Sequence, residues 1–562
     1  MKRLLPVLLA VVLLLTGCQN AGPNEPDTKP QEPSGNTQTE NTASPAPVED
    51  AVKIALSDEE ITVDGKAISD DTASAVYAAN DIVFYLEGQD FTYGEGTEAD
   101  AHSQSEADTH TVVHITQPGT YALSGKLSAG QIAVDLGEDA EEDPNAVVTL
   151  VLNNVDITCT VAPAVIFYNV YECGSKDTET ASETVDTSAA GANVIIADGT
   201  ENYVNGSYVA RIYKPDSVQL NDAGTEVADA KKLHKYDAAF YSRMSMNVNG
   251  GEKDSGFLNI FAENEGLDSE LHLTINGGNI HIESGNDGIN TNEDGVSVTT
   301  INGGGLTILV TGETGEGDGI DSNGWLVING GVVAAQACST SGDAGIDSDM
   351  GIYLNGGSVT AYGNMLDRIA GGNATYAVFQ FAEKQSGSDI GEPAFTLKAG
   401  DGWEADARTF NDFTYCLISN EGLTPGEYTL WRGDVQLAGV SGSAMGGMMP
   451  PGDFGGEQPT MPEGVTPPTG MGHPQGSEPQ PGQTPQLPEG TQMMPPEGSQ
   501  MQFPEGMQQP PEGMTKPEGQ TPPGQELRPG GRPQSQMGEM ELSTAFTIVP
   551  GGNYFTNVAP AS

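Results

Sequence analysis

Four segments place a carboxylate or an amide at the same point of one short motif: Gly266-Leu267-Asp268-Ser269, Gly288-Ile289-Asn290-Thr291, Gly319-Ile320-Asp321-Ser322 and Gly345-Ile346-Asp347-Ser348. A second set of acids stands just before the glycine, Glu265, Asp287 and Asp318, with Asp343 one residue earlier in its copy. If the copies stack as neighbouring strands, equivalent positions lie about 4.8 Å apart. Asp268, Asn290, Asp321 and Asp347 then form a ladder along one edge. Carboxylates that close either take up protons or hold a hard cation between them. Oxygen ligands and flexible geometry favour Ca²⁺ over transition metals, and Asn290 lowers the charge while keeping a carbonyl ligand. The alternative is turn capping, in which each Asp accepts local backbone N–H groups and faces water.

The elements that would stack them are legible from the spacing. Asn-Gly-Gly triplets begin at Asn249, Asn276, Asn302, Asn329 and Asn355, at intervals of 27, 26, 27 and 26 residues. Apolar residues alternate with polar ones on both sides of each triplet, as in Leu273/Ile275 before and Ile280/Ile282 after. A unit this small cannot bury its apolar face alone, and stacking copies buries a continuous column. The expected fold is all-β, a right-handed parallel β-helix (solenoid) with a small β cap and disordered insertions. Stacked Asn side chains at the corners would bond one another along the axis.

Sugar recognition needs exposed rings with polar groups beside them. His272, Trp325 and Tyr353 before the Asn corner, and His281 and Tyr362 after it, occupy outward positions that could form one stripe. The same residues could instead pack against a C-terminal cap.

At the start of the chain, Lys2 and Arg3 precede the apolar run Leu4 to Leu15 and then Leu15-Thr16-Gly17-Cys18. That run is too short to cross a bilayer and reads as a signal peptide over residues 1–17. The small residues ending at Cys18 match a bacterial lipobox, which implies lipidation of Cys18 and anchoring at the extracellular face of the cell membrane. Residues 18–50 are polar and Pro-rich, a flexible tether. The net charge of −57 over 562 residues argues against nucleic acid as a partner and favours cations. Cys159, Cys173, Cys338 and Cys416 are too scattered for a zinc site; Cys159 with Cys173 is the one plausible local pair, and free thiols are the alternative.

Residues 51–200 read as N-terminal rungs, 201–236 as an excursion loop, 237–365 as the repetitive rungs and 366–442 as a β cap. Residues 443–540, with recurrent Pro-Glu-Gly, read as a disordered insertion, and 541–562 as terminal strands. Ser175 to Ala190 is a second polar interruption that keeps no strand period.

Several segments together resemble the bacterial secreted carbohydrate-binding domain family: Gly119-Thr120-Tyr121-Ala122-Leu123-Ser124-Gly125, Gly130-Gln131-Ile132-Ala133-Val134-Asp135, Leu152-Asn153-Asn154-Val155-Asp156-Ile157-Thr158, Ala197-Asp198-Gly199-Thr200-Glu201-Asn202 and the repeats. The resemblance covers roughly residues 55 to 440 and the last twenty. It implies a calcium-bearing parallel β-helix that binds cellulose and acidic pectic chains, with no established catalysis. The two excursions and the late insertion depart from the pattern and bear on which face is accessible. The expectation is a monomeric, non-catalytic polysaccharide binder. A calcium-dependent pectate lyase, with Arg243, Lys253 or Arg368 near the base position, and an adhesin with a protein target are the alternatives.

Overall fold

The computed structural model describes residues 50–388, 393–442 and 542–561. The proposed signal peptide, Cys18, the tether up to residue 49 and the 443–540 insertion lie outside the described residues.

The chain is almost entirely strand, with one helical turn at Gln104–Ala107 and two 3-10 turns among the described residues. Its repeats lay down three files of parallel strands. The first runs through Val148–Cys159, Ala192–Ile196, Met246–Gly250, Leu273–Ile275, Val298–Ile301, Trp325–Ile328 and Gly351–Leu354. The second takes the far half of Val148–Cys159, then Glu201–Gly206, Phe257–Ala262, Asn279–Ser284, Gly305–Val310, Val332–Gln336 and Ser358–Gly363. The third holds Thr111–Ile115, Gly130–Asp135, Val165–Asn169, Ala238–Ser242, Glu265–Ser269 and Ile289–Thr291.

Alternation sends one set of side chains inward from every file. Ile275, Ile301, Ile328 and Leu354 from the first file, Ile282, Ile308 and Ala335 from the second, and Leu267, Ile289 and Ile320 from the third join one continuous apolar cluster. At the corner between the first two files, each Asn Nδ2 donates to the Oδ1 of the Asn one copy earlier: Asn276 to Asn249 at 3.0 Å, Asn302 to Asn276 at 2.9 Å, Asn329 to Asn302 and Asn355 to Asn329 at 2.8 Å.

Antiparallel pairs join the parallel ones toward both ends. Val76–Ala79 pairs antiparallel with Thr111–Ile115. At the other end Phe413–Ser419 pairs antiparallel with both Ser358–Gly363 and Tyr376–Gln385. Gly552–Pro560 returns beside Tyr376–Gln385, and Phe546–Ile548 beside Gly426–Arg432, around a second cluster rich in Phe. The large sheet is therefore mixed.

Two expectations are corrected here. Glu201–Gly206 is a strand of the second file, so the excursion begins beyond Gly206. It is also no plain loop: Val209–Tyr213 pairs with Lys232–Tyr236, and Gln219–Leu220 with Val227–Asp229. A strand period was illegible there because the Val209–Tyr213 and Lys232–Tyr236 pairing is bulged. The four described cysteines are free thiols.

The glycine of the acidic motif has a steric reason. A Cβ at Gly288 would come within 2.2 Å of Ile308 Cγ2 and 2.6 Å of the Gly319 carbonyl, and one at Gly319 within 2.3 Å of the Gly345 carbonyl. Successive copies approach backbone to backbone at this corner, which leaves no room for a side chain. Gly288→Ala should therefore cost about 1–3 kcal/mol of stability by overpacking, whereas Gly342→Ala, in open space, should be nearly neutral. Urea unfolding of both variants checks this, and equal stability would contradict it.

Candidate metal centre

The third file sets the acidic ladder. Its register places Asp268 opposite both Tyr241 and Asn290. Beyond Ile289–Thr291 the stacking continues through an isolated parallel bridge between Ile289 and Ile320, and through Asp347 N–H donating to the Ile320 carbonyl at 2.7 Å. Leu267, Ile289, Ile320 and Ile346 point inward and are buried. The hydroxyls of Thr291 and Ser322 meet at 2.8 Å. With the inner residue and the hydroxyl fixed on either side, each Asp or Asn between them is directed to the same edge.

The eight expected ligands separate into two clusters and three supporting residues. Glu265 and Asp268 converge with Asp237, one carboxylate oxygen of each lying within 4.8 Å of the others; Asp318, Asp321 and Asp347 converge in the same way. Asn290 sits between the clusters and donates to Glu265 Oε1 at 3.2 Å. Asp287 and Asp343 accept backbone bonds, from Asp318 N–H at 2.7 Å and Gly317 N–H at 2.6 Å. Asp318 likewise accepts from Ala344 N–H at 2.6 Å while converging with Asp321 and Asp347, and all three bonds cross from one copy to the next, so none is a local turn cap.

Asp237 was missed. It stands three residues before the inward Phe240, the offset that Asp343 has from Ile346, so the irregular copy already contained the signal.

Three oxygens in this region are buried without any partner: Glu265 Oε2, Asn290 Oδ1 and Asp347 Oδ1. Unpartnered buried acceptors are costly, and one belongs to each carboxylate cluster, Glu265 to the first and Asp347 to the second, where converging oxygens are a donor set for a cation. The proton affinities agree. Burial, then the neighbouring Asp347 and Asp287, pushes Asp318 up to about 10. Burial and Asp367 push Asp347 up to about 8, burial and Asp349 push Asp321 up to about 6, and burial and Asp321 push Asp287 up to about 7. Glu265 and Asp268 are driven well above the ordinary carboxylate range by burial and by their acidic neighbours.

The clusters differ in counter-charge. Lys235, from the excursion hairpin, places its ammonium 2.6 Å from Asp237. Burial alone would lower its proton affinity, but Asp237, Glu265 and Asp268 carry it above its ordinary value. None of the ion pairs among the described residues reaches Asp318, Asp321 or Asp347. Three hard oxygen donors with no protein cation fit a divalent ion of the calcium type.

The aromatic residues do not form the expected single open stripe. His272 is 2% exposed, and its Nδ1 accepts from Val298 N–H at 3.1 Å. Trp325 is 8% exposed in a cluster with Val298 and Val327, covered by Ala181 and Val185 of the 175–190 excursion, with Tyr353 half-buried at its margin. Thr187 fixes that excursion by bonding Asn247 at 2.8 Å and Thr274 at 2.7 Å. Tyr362 is 1% exposed and packs edge-on against Phe413 in the cap. His281 remains on the surface, 3.1 Å from Glu283.

The sign of the pH effect follows from the raised carboxyls. Groups whose folded proton affinity exceeds the unfolded value stabilise the fold at low pH, and lose that contribution as pH rises through the folded value. In chelator, the melting temperature should fall between pH 5 and pH 8, the window of Asp321 and Asp347; with Ca²⁺ present the fall should disappear. Thermal scans at matched ionic strength measure both, and a melting temperature that rises over this window in chelator would contradict the assignment.

Residues 109–376 match the family model described as carbohydrate-binding domain-containing protein. A carbohydrate-binding domain-containing protein from Acetivibrio thermocellus is 29% identical over 173 residues, which is 31% of this chain and 45% of that relative. A solved structure described as a polysaccharide lyase-like protein from C. thermocellum, a gadolinium derivative, aligns over 57% of this chain and 92% of its own with 19% identity and a TM-score of 0.30, a likeness too weak to bear on architecture or activity. Over its parallel files, then, the chain is similar to a carbohydrate-binding family.

Proposed function

We propose that this chain is a cell-surface lipoprotein, anchored through Cys18, whose right-handed parallel β-helix is stabilised by calcium and binds plant-wall type polysaccharide without cleaving it. The observation that carries the calcium part is the Asp318, Asp321 and Asp347 cluster, with the unpartnered Asp347 oxygen and no ion pair to any of the three among the described residues. Support for the coil comes from three parallel files advancing by one copy at a time. Support for the ligand class comes from the match over residues 109–376.

The non-catalytic reading rests on finding no competent base beside the acids among the described residues. Lys235, which touches Asp237, is held in its charged form and is unsuited to abstract a proton. Of the candidates near the repeats, Arg243 bonds Asn169 Oδ1 at 3.1 Å, Arg368 bonds the Met350 carbonyl at 2.7 Å, and Lys253 lies exposed on the turn beside Asp198.

With a net charge of −57, the protein gains nothing from meeting a polyanion unless a cation bridges them. Retention on polygalacturonate should therefore require Ca²⁺, and retention on cellulose should not. Pull-down on both polymers with and without chelator, read alongside the absorbance of unsaturated uronate products, separates binder from lyase. Accumulating unsaturated product would make the protein a lyase, and retention on neither polymer would favour a protein partner.

A further inference from the structure

The second file carries a group of rings on its outward face that the acidic edge does not use. Tyr203, Asn259 and His281 are direct partners in three consecutive strands. Phe257 and Phe261 stand two residues to either side of Asn259 on the same strand and the same face. Asn259 is thus the centre of a cross, with rings about 4.8 Å away across the strands and about 7 Å away along its own. Phe257 is 40% exposed, and the other three rings are half-buried. Phe261 and His281 meet edge-on at 6.2 Å.

The amides between the rings are turned in one sense. Asn259 Nδ2 donates to the Asn202 carbonyl at 3.2 Å, Asn205 Nδ2 to the Ile157 carbonyl at 3.2 Å, and Asn279 Nδ2 to the Asp254 and Gly256 carbonyls at 3.1 Å. A carbonyl can accept only from the N–H₂ end, so these bonds fix each amide. The three Oδ1 atoms meet no donor among the described residues. They are acceptors held ready for hydroxyl donors, interleaved with apolar rings.

The charges nearby select the ligand. Asp156, Glu201 and Glu283 border the patch; Lys126 is already paired with Asp156 at 2.5 Å, and His281 with Glu283 at 3.1 Å. Among the described residues one further basic group stands close in sequence, Lys253 on the exposed turn before Phe257, and it lies against Asp198, so acids outnumber bases around the patch and a uronate is disfavoured. Hydroxyl-rich, uncharged chains with apolar C–H faces meet both requirements, since rings take the C–H faces and the fixed carbonyls take the hydroxyls.

We propose that this outward face, centred on Asn259 and ringed by Tyr203, Phe257, Phe261 and His281, is a binding platform for a neutral polysaccharide of equatorially substituted pyranoses. The run of six paired residues, free of register shifts on both sides of Phe257–Ala262, offers an uninterrupted surface for an extended chain. This site rests on the polysaccharide-binding reading above and gives it a location away from the cation-holding edge.

The test is affinity electrophoresis of the full chain through gels containing xyloglucan, mixed-linkage β-glucan or polygalacturonate, in chelator and in Ca²⁺, comparing the unaltered protein with Phe257→Ala, Tyr203→Ala and Asn259→Ala. Phe257→Ala removes an exposed ring and should keep the melting temperature, which makes it the diagnostic variant. The platform predicts retardation by a neutral glycan in both buffers, weakened up to about tenfold by each ring removal. Retardation by a neutral glycan that all three variants retain in full would overturn the platform and leave polysaccharide binding standing. Calcium-dependent retardation by polygalacturonate alone, indifferent to the variants, would do the same. Retardation by no glycan at all would overturn both.

Discussion

Everything in this protein depends on the short distance between one copy of the repeat and the next. Parallel pairing puts equivalent residues about 4.8 Å apart, and that one spacing has opposite consequences for different side chains. Aliphatic positions become a continuous apolar cluster, corner amides become a hydrogen-bonded ladder, and carboxylates become a column of mutually repelling charge. The glycine of the acidic motif permits this approach, because a Cβ there would collide with the backbone of the next copy.

The repulsion is answered in two ways along the same edge. At Asp237, Glu265 and Asp268 the excursion hairpin returns with Lys235, so a protein cation lies against the acids. At Asp318, Asp321 and Asp347 no such partner arrives among the described residues, which leaves the charge open to protons or to an ion from solution. The first solution is built into the chain. The second makes stability respond to the proton and divalent-ion content of the medium.

How much of this the sequence disclosed follows the range of the interactions. The all-β class, the Asn ladder and the shared edge of Asp268, Asn290, Asp321 and Asp347 come from a period of 26 or 27 residues, and a period is visible in one dimension. The split into two clusters was hidden because it turns on Asp237 and Lys235, which lie outside the regular motif. The aromatic stripe departs from expectation for a related reason. Alternation tells which residues point away from the core, but not that residues 175–190 fold over His272 and Trp325, nor that the cap closes on Tyr362. The cross of rings around Asn259 was overlooked because its members come from copies with dissimilar sequences, and only strand register brings Tyr203, Phe257, Phe261 and His281 together.

The central claim is that the Asp318, Asp321 and Asp347 carboxylates exchange protons for a divalent ion. Calorimetric titration with Ca²⁺ near pH 7, repeated in buffers of different ionisation enthalpy, measures binding and proton release together. The account predicts saturable binding that releases protons, with both lost in Asp347→Asn. Absence of saturable binding, or binding that releases no proton and is untouched by that substitution, would contradict it.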